Sequence, residues 1–463
     1  MAPASLRMDK PGIDEQRTSE PRRAMARALA GVAAGNFVEW YDFAVYGYSA
    51  TTIAKLFFSG SDPVAALLAT FALFSVTFLF RPAGGVFFGR LGDRVGRRNT
   101  LVVIILLMGS CTTLIGLLPT YRSIGAAAPV LLALMRLGQG FSSGGESAGA
   151  STFLSEYAPP ARRGLWTAIS NSTQVLPFVV AAVLIYGLQH RMSQDQYLSW
   201  GWRIPFLLSA PLALVGLFLQ LRLDDTPLFL ALRKTGEIEH APVLAVLTRY
   251  RREVLLLIGI ASLNAIGFYT ASSYMPTYLS QVVGLDARTS LVSNAVALSA
   301  YSVLIPLFGA AGDRFGRKPI LLLSALCLIV LSIPGYALAA RGGLSNAIIG
   351  QVMVIVPVTA VASVVAVAQC ELFPTAVRYT GAALGYNVAY MLFGGTAPFV
   401  AQYLVVLTGA PRAPAYYLAS AAAIALLPIA LLPETSRASM TRTDNQDLDP
   451  AKHLAHGVPA DPA

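Results

Sequence analysis

Charged residues are scarce in this 463-residue chain: 13% are Asp, Glu, Lys or Arg, whereas 55% are hydrophobic. Soluble domains carry about 25% charged residues, so this scarcity excludes an ordinary soluble fold. The mean hydropathy is +0.60, and apolar runs at 64–80, 101–118 and 320–333 approach or reach the ~20 residues that a membrane-spanning helix needs. Strict alternation of polar and apolar residues is absent, which disfavours a transmembrane β-barrel. The sequence predicts an all-α membrane protein.

Cysteine and histidine are also few. The three cysteines lie inside or at the ends of apolar segments, at spacings that suit neither zinc nor a disulfide framework: Cys111, Cys327 and Cys370. The four histidines fall in predicted loops or in the tail: His190, His240, His453 and His456. No GxxxxGK[ST] phosphate-binding loop is present. We therefore expect no enzyme activity, no metal site and no cofactor.

The net charge of +10 does not indicate a nucleic-acid partner, because the cations recur in short turns between apolar runs. Residues 1–27 are polar and basic, and we expect a disordered tail without a cleavable signal peptide. The first apolar segment is expected to remain as the first helix.

A cationic turn divides the chain into two similar halves. GRLGDRVGRRNT at 89–100 is followed, 220 residues later (312 − 92), by GAAGDRFGRKP at 309–319. A second pair, EYAPPARR at 156–163 and ELFPTAVR at 371–378, repeats at nearly the same offset. Six plus six membrane spans are predicted, at 28–58, 63–89, 100–119, 128–157, 164–189, 203–223, 253–280, 288–312, 319–340, 344–372, 378–407 and 413–433.

These spans define two halves, 28–223 and 253–433, joined by a polar loop at 224–252 that has room for one amphipathic helix. An even number of spans puts both termini on one side. Most of the 34 lysines and arginines then fall in the tails, the central loop and the loops of that side, which the positive-inside rule identifies as the cytoplasm. Residues 434–463 form the second cytoplasmic tail. Parallel halves with a site between them are what alternating access needs.

Several motifs resemble known transporters. The run RPAGGVFFGRLGDRVGRR at 81–98 resembles the signature loop of the major facilitator superfamily, and its second copy strengthens the match. More narrowly, four stretches resemble the metabolite:proton symporter family: Gly35-Asn36, EWYDF at 39–43, GQGFSSGGESAGA at 138–150 and GWRIPF at 201–206. The resemblance implies a major facilitator fold and proton-driven uptake across a bacterial inner membrane. That family includes proline/betaine systems and permeases for α-ketoglutarate and citrate.

The chain departs from that family in two places. Ser147 follows Glu146, where family members often carry an aromatic residue, so a known member's substrate does not transfer directly. The tail after Glu434 is short and lacks the heptad-patterned extension of the osmosensing proline/betaine transporter, so osmotic gating through a coiled coil is not implied.

Ionisable residues within apolar spans are the candidates for proton coupling, because their burial is unfavourable and is expected only where they have a function. Glu39 and Asp42 lie three residues apart, on nearby faces of span one. Glu146, in span four, is either a second proton site or the partner of a cation. The alternative for Glu39 and Asp42 is a cap or a structural ion pair.

The candidates for substrate binding are polar residues on spans one, four and eleven. Arg136 can hold a carboxylate through two hydrogen bonds and shares a helical stripe with Gln139; its alternative is a buried structural pair with Glu39, Asp42 or Glu146. The remaining candidates are Asn36, Tyr386 and Asn387. Aromatic rings of the second half, such as Tyr269, Tyr274 and Tyr390, can enclose a quaternary ammonium.

The charged turns are predicted to gate access by pairing across helix ends. The alternative is that they only signal topology, but this leaves the identical spacing of both copies unexplained. The gating set is Gly92, Asp93, Arg94, Gly96, Arg97, Arg98, Asp313, Arg314, Arg317, Glu156, Arg163, Glu371 and Arg378, with Arg81 as a further structural or gating residue.

Three functions fit these features to different degrees. A proton symporter importing a small carboxylate-bearing metabolite fits best, with a zwitterion such as proline or betaine slightly favoured over a di- or tricarboxylate. An exporter of the same superfamily would use the same buried acids. A ligand sensor lacks room for an output domain. The expected partners are substrate, protons and the bilayer, with no nucleic acid, and the sequence is compatible with a monomer.

Overall fold

The structure is a computed structural model that describes residues 33, 35–58, 62–95, 97–221, 242–374, 377–436 and 438. Over these residues the chain is helical, without a β-strand. Twelve helices, α1–α12, match the twelve predicted spans. Each range is given in chain order: α1, 35–48 and Ala50–Phe57; α2, Pro63–Leu79 and Arg81–Val95; α3, Arg97–Leu117; α4, Ala127–Tyr157; α5, Arg163–Thr173 and Leu176–Arg191; α6, Gln194 to Leu221 in short segments; α7, Arg251–Tyr269 continuing to Val282; α8, Ala287–Phe315; α9, Arg317–Ala339; α10, Leu344–Glu371; α11, Arg378–Ala389 and Ala397–Thr408; α12, Ala413–Leu431.

Ten of these helices are long and apolar enough to cross a bilayer, among the residues that the structure describes. The two outside that set are α1 and α4, which carry Glu39, Asp42 and Arg136. Side chains such as Val303 and Ile424 are 69% and 75% exposed, as expected for surfaces that face lipid. The chain is a multi-pass membrane protein, as the composition predicts.

Helix breaks repeat between the halves. The turn at Ser49 in α1 corresponds to the start of the π-helical segment Thr270–Tyr274 in α7, 221 residues later (270 − 49). The break before Pro177 in α5 corresponds to the break before Pro398 in α11, again 221 residues later (398 − 177). The second pair of breaks occurs at prolines, which lack a backbone donor and clash with the preceding turn. The shared offset supports two structurally similar halves.

One boundary differs from the prediction by about two helical turns. Span six was expected to start at 203 but begins at Gln194, because Ser193 and Gln196 form a capping box that starts a helix in the expected loop. The described part of the central loop contains the helix Pro242–Arg249; residues 222–241 and the expected tails at 1–27 and 439–463 lie outside the described chain.

Glycines let α2 and α4 pack backbone against backbone. A Cβ added at Gly140 would lie 1.7 Å from the Thr77 carbonyl oxygen, and one added at Gly144 would lie 1.9 Å from the Arg81 carbonyl oxygen. Any larger residue at these positions would overlap α2. This close approach brings the inner half of α2, including Arg81, against α4 and α1.

Candidate functional site

Two buried ion pairs lie next to each other inside the first half. The first joins Glu39 in α1 to Arg81 in α2, with Arg81 Nη2 2.6 Å from Glu39 Oε1. Ser143 in α4 binds both partners: its hydroxyl donates to Glu39 and accepts from Arg81 Nη2 at 2.7 Å. The glycine-mediated contact of α2 with α4 brings the three side chains together. Glu39 and Arg81 are 1% and 0% exposed.

The second pair joins Asp42 to Arg136 in α4, with Arg136 Nη1 2.9 Å from Asp42 Oδ2. Asp42 Oδ1 accepts from the hydroxyl of Thr112, at 2.9 Å, and from the amide of Gln139. Gln139 in turn accepts from Arg136 Nη1 at 2.8 Å. Both oxygens of Asp42 are therefore occupied by groups of the first half, and the pairing that the sequence left open for Arg136 is with Asp42.

The aromatic neighbours of the two guanidinium groups differ. Arg136 lies 4.0 Å from the ring centroid of Tyr46, in its own half. Arg81 lies 5.1 Å from the ring centroid of Phe78 and 5.8 Å from that of Tyr390, which belongs to α11. Arg81 therefore reaches the second half, whereas the ring contacts of Arg136 are with α1 and α2.

A narrow cavity, lined by residues of both halves, lies between them. Five aromatic rings line it: Trp40, Phe268, Tyr301, Tyr386 and Tyr390. Five neutral polar side chains join them: Ser151, Asn171, Gln174, Asn264 and Gln369. Small apolar residues of α10 complete the wall, and within the described chain no charged side chain lines it. Ring faces and side-chain amides are groups that bind small molecules in ligand sites.

The structure separates the predicted substrate residues. Tyr386 lines the cavity, where its ring stacks on Tyr390 at 4.0 Å. Asn387 instead donates to the Gly144 carbonyl at 3.3 Å, across the two halves. Asn36 is buried in α1, and Arg136 and Gln139 belong to the Asp42 network. The side chain of Glu146 lies outside the described part of the chain.

Several lining residues were not predicted from the sequence. Asn171 and Gln174 precede the break at Pro177. Polar residues beside a helix break were the sequence signal that could have identified them as lining residues. Trp40 was quoted only as part of a family motif. Phe268 and Tyr301 gave no signal, because an aromatic residue in an apolar span is usually a packing residue.

Asp313 links the two halves at the end of the bundle that carries the second cationic turn, here called the basic end. Its carboxylate accepts from the backbone N–H groups of Gly164 and Leu165, at 2.8 and 2.9 Å, and so links α8 to the start of α5. Arg317 donates to Asp313 at 2.9 Å and makes two hydrogen bonds with Glu371, at 3.0 and 3.1 Å. An aspartate at a helix N-terminus is favourable, and here it acts between the two halves.

Other gating candidates lie around this cluster. Arg378 donates to the Cys370 carbonyl at 2.9 Å, Arg163 donates to the Ala438 carbonyl at 2.8 Å, and Arg314 lies over the ring of Phe315. The remaining candidates fall where the structure describes no side chain: Gly92, Asp93, Arg94, Gly96, Arg97, Arg98 and Glu156.

The segment after α12 also binds the basic end, which the sequence did not predict. Burial by itself raises the pKa of the Glu434 carboxyl, but the backbone N–H groups of Arg317, Ser436 and Lys318 donate to it and hold its pKa below the usual value. Thr435 donates to Glu371 at 2.8 Å. Glu434 thereby caps the start of α9.

The opposite end of the bundle also has contacts between halves. The Tyr48 hydroxyl donates to Asn294 Oδ1 at 2.8 Å, and Ser75 donates to the Gly395 carbonyl at 2.7 Å. Contacts at both ends therefore flank the cavity.

Twelve helices in two similar halves, with a cavity between them, define a membrane transporter of small molecules. The chain belongs to the sugar (and other) transporter family, whose model matches residues 28–249 and 234–445. Its place among major facilitator transporters agrees with the motif resemblance, and it is not an enzyme.

Similar proteins agree with this class. The chain is 35% identical to the ectoine/proline transporter ProP of Corynebacterium glutamicum, covering 94% of this chain and 92% of that protein. It is 34% identical to the proline/betaine transporter of Escherichia coli K12 (89% and 84% covered) and 34% identical to the alpha-ketoglutarate permease of the same strain (84% and 90% covered). A solved structure of the major facilitator proton:xylose symporter XylE, bound to 6-bromo-6-deoxy-D-glucose, aligns with a TM-score of 0.73 at 17% identity, covering 91% of this chain and 98% of that one.

Proposed function

We propose that this protein is a proton-coupled symporter that imports a small zwitterion, a compatible solute of the proline or betaine type, by alternating access. The observation that carries this proposal is the lining of the cavity, which combines five aromatic rings with neutral amides and contains no charged residue in the described chain. A zwitterion brings its own counter-charge into such a site, and its ammonium group is attracted to ring faces. The names of the proline transporters that resemble the chain support the same class.

A di- or tricarboxylate is the second candidate, and the similarity to the alpha-ketoglutarate permease favours it. Two or three negative charges in a cavity without a lining cation would be poorly compensated. An exporter that exchanges substrate for protons remains the third candidate.

Buried carboxylates are the proposed proton carriers. Glu39 and Asp42 are 1% and 0% exposed, and a carboxylate at this depth can take up and release a proton as its surroundings change. The Asp313 cluster is the proposed gate on the basic end, together with the Asp93 turn.

The proposed orientation puts the basic end and both termini in the cytoplasm of a bacterial inner membrane, because the cations concentrate at that end. The domains under this proposal are residues 28–223 and 253–433, with 1–27, 224–252 and 434–463 cytoplasmic.

Uptake into proteoliposomes tests the proposal. With an inward proton gradient, labelled proline or glycine betaine should accumulate, whereas α-ketoglutarate and citrate should not, and a protonophore should abolish the accumulation. Accumulation of the two acids alone would favour the carboxylate symporter. Failure of all four substrates, with proton-dependent efflux of a lipophilic cation, would favour the exporter.

Single substitutions test the coupling residues in the same assay. Glu39→Gln and Asp42→Asn should each abolish or uncouple accumulation, because neither amide can carry the proton. Asp195→Asn is the matched control, since Asp195 is exposed at the start of α6 and the variant should accumulate normally. Full accumulation by both Glu39→Gln and Asp42→Asn would show that these residues do not carry the coupling proton.

A further inference from the structure

The sequence favours Arg136 as the substrate-binding cation, but the geometry points to Arg81. We propose that Arg81 binds the substrate carboxylate, and that Glu39, its ion-pair partner, takes up the coupled proton when the substrate replaces it. This inference rests on the proposed symport of a carboxylate-bearing substrate.

The position of Arg81 supports the first part of the proposal. Its guanidinium lies 5.8 Å from the ring centroid of Tyr390, and Tyr390 is part of the cavity wall. Trp40, the chain neighbour of Glu39, lines the same cavity. Arg136 lies against Tyr46, Phe43 and Phe74, none of which lines the cavity. Of the two paired arginines, Arg81 is therefore the one with an aromatic neighbour that lines the cavity.

Tyr390 is placed to control the access of a substrate in the cavity to Arg81. Its hydroxyl accepts from Asn264 Nδ2 at 2.8 Å, and both side chains line the cavity. Tyr390 also begins the π-helical segment Tyr390–Gly394, which ends just before the break at 395–396. Irregular helical segments of this kind often occur at functional sites. A ring movement at Tyr390, with exchange of its bond to Asn264, would open the guanidinium to the cavity.

The two carboxylates differ in how completely they are bound. Glu39 Oε1 receives Arg81 and Ser143, whereas Glu39 Oε2 is buried and makes no hydrogen bond to the described residues. Asp42 uses both oxygens, with Thr112 and Gln139 on Oδ1 and Arg136 on Oδ2. Of the two proposed proton carriers, Glu39 is therefore the one that can receive a proton without breaking a hydrogen bond to the described residues.

Exchange of partners at Arg81 links the substrate to the proton. The substrate carboxylate replaces the Glu39 carboxylate at the guanidinium, and Glu39 would then be a buried anion without a cation, which is strongly unfavourable. One proton from the bulk solution binds Glu39 Oε2 and neutralises it, so Arg81 again faces one carboxylate, and the site gains the one positive charge that is transported with the zwitterion. When the substrate leaves, Glu39 loses the proton and returns to Arg81. Because binding linkage is reciprocal, protonation of Glu39 must also favour substrate binding.

Substrate-induced proton uptake by purified protein tests this exchange. Glycine betaine or proline is added to detergent-solubilised protein in weak buffer with a pH indicator, and affinity is measured by calorimetry. Wild-type protein should take up about one proton per bound substrate. Glu39→Gln should still bind but take up no proton, and in proteoliposomes it should exchange substrate without accumulating it.

Variants of Arg81 test the carboxylate contact. Arg81→Gln should weaken binding about 10- to 100-fold, as expected for loss of charge-assisted hydrogen bonds. Arg81→Lys should lose less, because the charge remains without the paired geometry. The double variant Glu39→Gln/Arg81→Gln removes both buried charges, so it should fold even if Arg81→Gln does not, and it should still bind weakly.

The outcomes separate this inference from the proposed function. If the wild-type protein transports none of these solutes with protons, the proposed function is wrong. If it does, but Glu39→Gln retains substrate-induced proton uptake, or the double variant binds with wild-type affinity, the exchange at Arg81 is wrong.

Discussion

Glu39 and Asp42 are less than one helical turn apart in α1, yet their surroundings differ. Asp42 is held by Arg136, Thr112 and Gln139, all in the first half, whereas Glu39 is held by an arginine that touches the second half. A buried ion pair is a weak source of stability, because desolvating two charges offsets their attraction. Two such pairs side by side therefore indicate a function. Their different surroundings suggest that Glu39 and Asp42 have different roles.

Arg136→Gln should be strongly destabilising, because it leaves the Asp42 carboxylate buried without a cation. Breaking a buried pair by removing one partner costs about 3–5 kcal/mol. Asp42→Asn/Arg136→Gln should recover much of that loss, because no net buried charge remains, although transport should stay absent. Thermal unfolding of the purified variants measures the difference. Equal melting temperatures for the single and double variants would mean that the pair contributes nothing through its charges.

The sequence placed Glu39, Asp42 and Arg136 inside apolar spans, where ionisable residues are conspicuous, and all three are buried. It did not predict their pairing. Arg81 meets Glu39, and Arg136 meets Asp42, only because of how α2 and α4 are rotated and how closely they approach α1. That geometry depends on packing contacts that are far apart in sequence.

At the scale of helices, the glycines of α2 and α4 set this geometry. A Cβ added at Gly84, Gly140 or Gly144 would lie less than 2 Å from a carbonyl oxygen on the partner helix. A methyl group there must push the helices apart. Since Arg81, Ser143 and Glu39 bridge the same contact, the ion pair would lengthen as well.

Gly140→Ala should therefore lower both stability and transport. Overpacking typically costs about 1–3 kcal/mol, and the overlap with Thr77 is with backbone, which cannot move aside by a rotamer change. Gly187→Ala is the matched control in α5, because a Cβ there meets nothing within 4 Å, and it should unfold at or slightly above the wild-type temperature, since alanine favours the helix. Melting curves and proline uptake measured side by side check both effects. A Gly140→Ala protein as stable as the control would show that α2 and α4 do not need this approach.

Helix breaks were partly predictable. Pro177 and Pro398 signalled two of them, because proline removes a backbone donor and clashes with the preceding turn. The turn at Ser49 carries no comparable residue, whereas the π-helical segment Thr270–Tyr274 is followed by Pro276. They lie where α1 and α7 meet, with a Cβ at Gly47 only 3.2 Å from Ser273. Tertiary contact between the halves, which no local pattern encodes, accompanies these irregularities.

For the whole molecule, the proposed alternating access requires the contacts at the two ends to control which side reaches the cavity. At the basic end one carboxylate, Asp313, binds two backbone N–H groups of the other half and one arginine of its own. At the opposite end the contacts between halves include neutral hydrogen bonds, such as that from Tyr48 to Asn294. Hydrogen bonds to a charged group are the stronger kind, so loss of the Asp313 charge should favour opening at the basic end.

Asp313→Asn should open the basic end more often, because the amide has a single acceptor oxygen and does not attract Arg317. Loss of charged hydrogen bonds worth about 1.5 kcal/mol would change the open population about tenfold. Cysteine labelling measures this change. Gln369, which lines the cavity and is 3% exposed, is replaced by cysteine in a protein whose Cys111, Cys327 and Cys370 are alanine.

In inside-out vesicles, a membrane-impermeant maleimide should then label position 369 about tenfold faster with Asp313→Asn than without it. Asp195→Asn, at an exposed position, should leave the rate unchanged. In right-side-out vesicles the same Asp313→Asn substitution should slow labelling, because alternating access closes one end when the other opens. Faster labelling only in right-side-out vesicles would indicate the opposite orientation. Unchanged rates in both kinds of vesicle would show that Asp313 is not part of the gate.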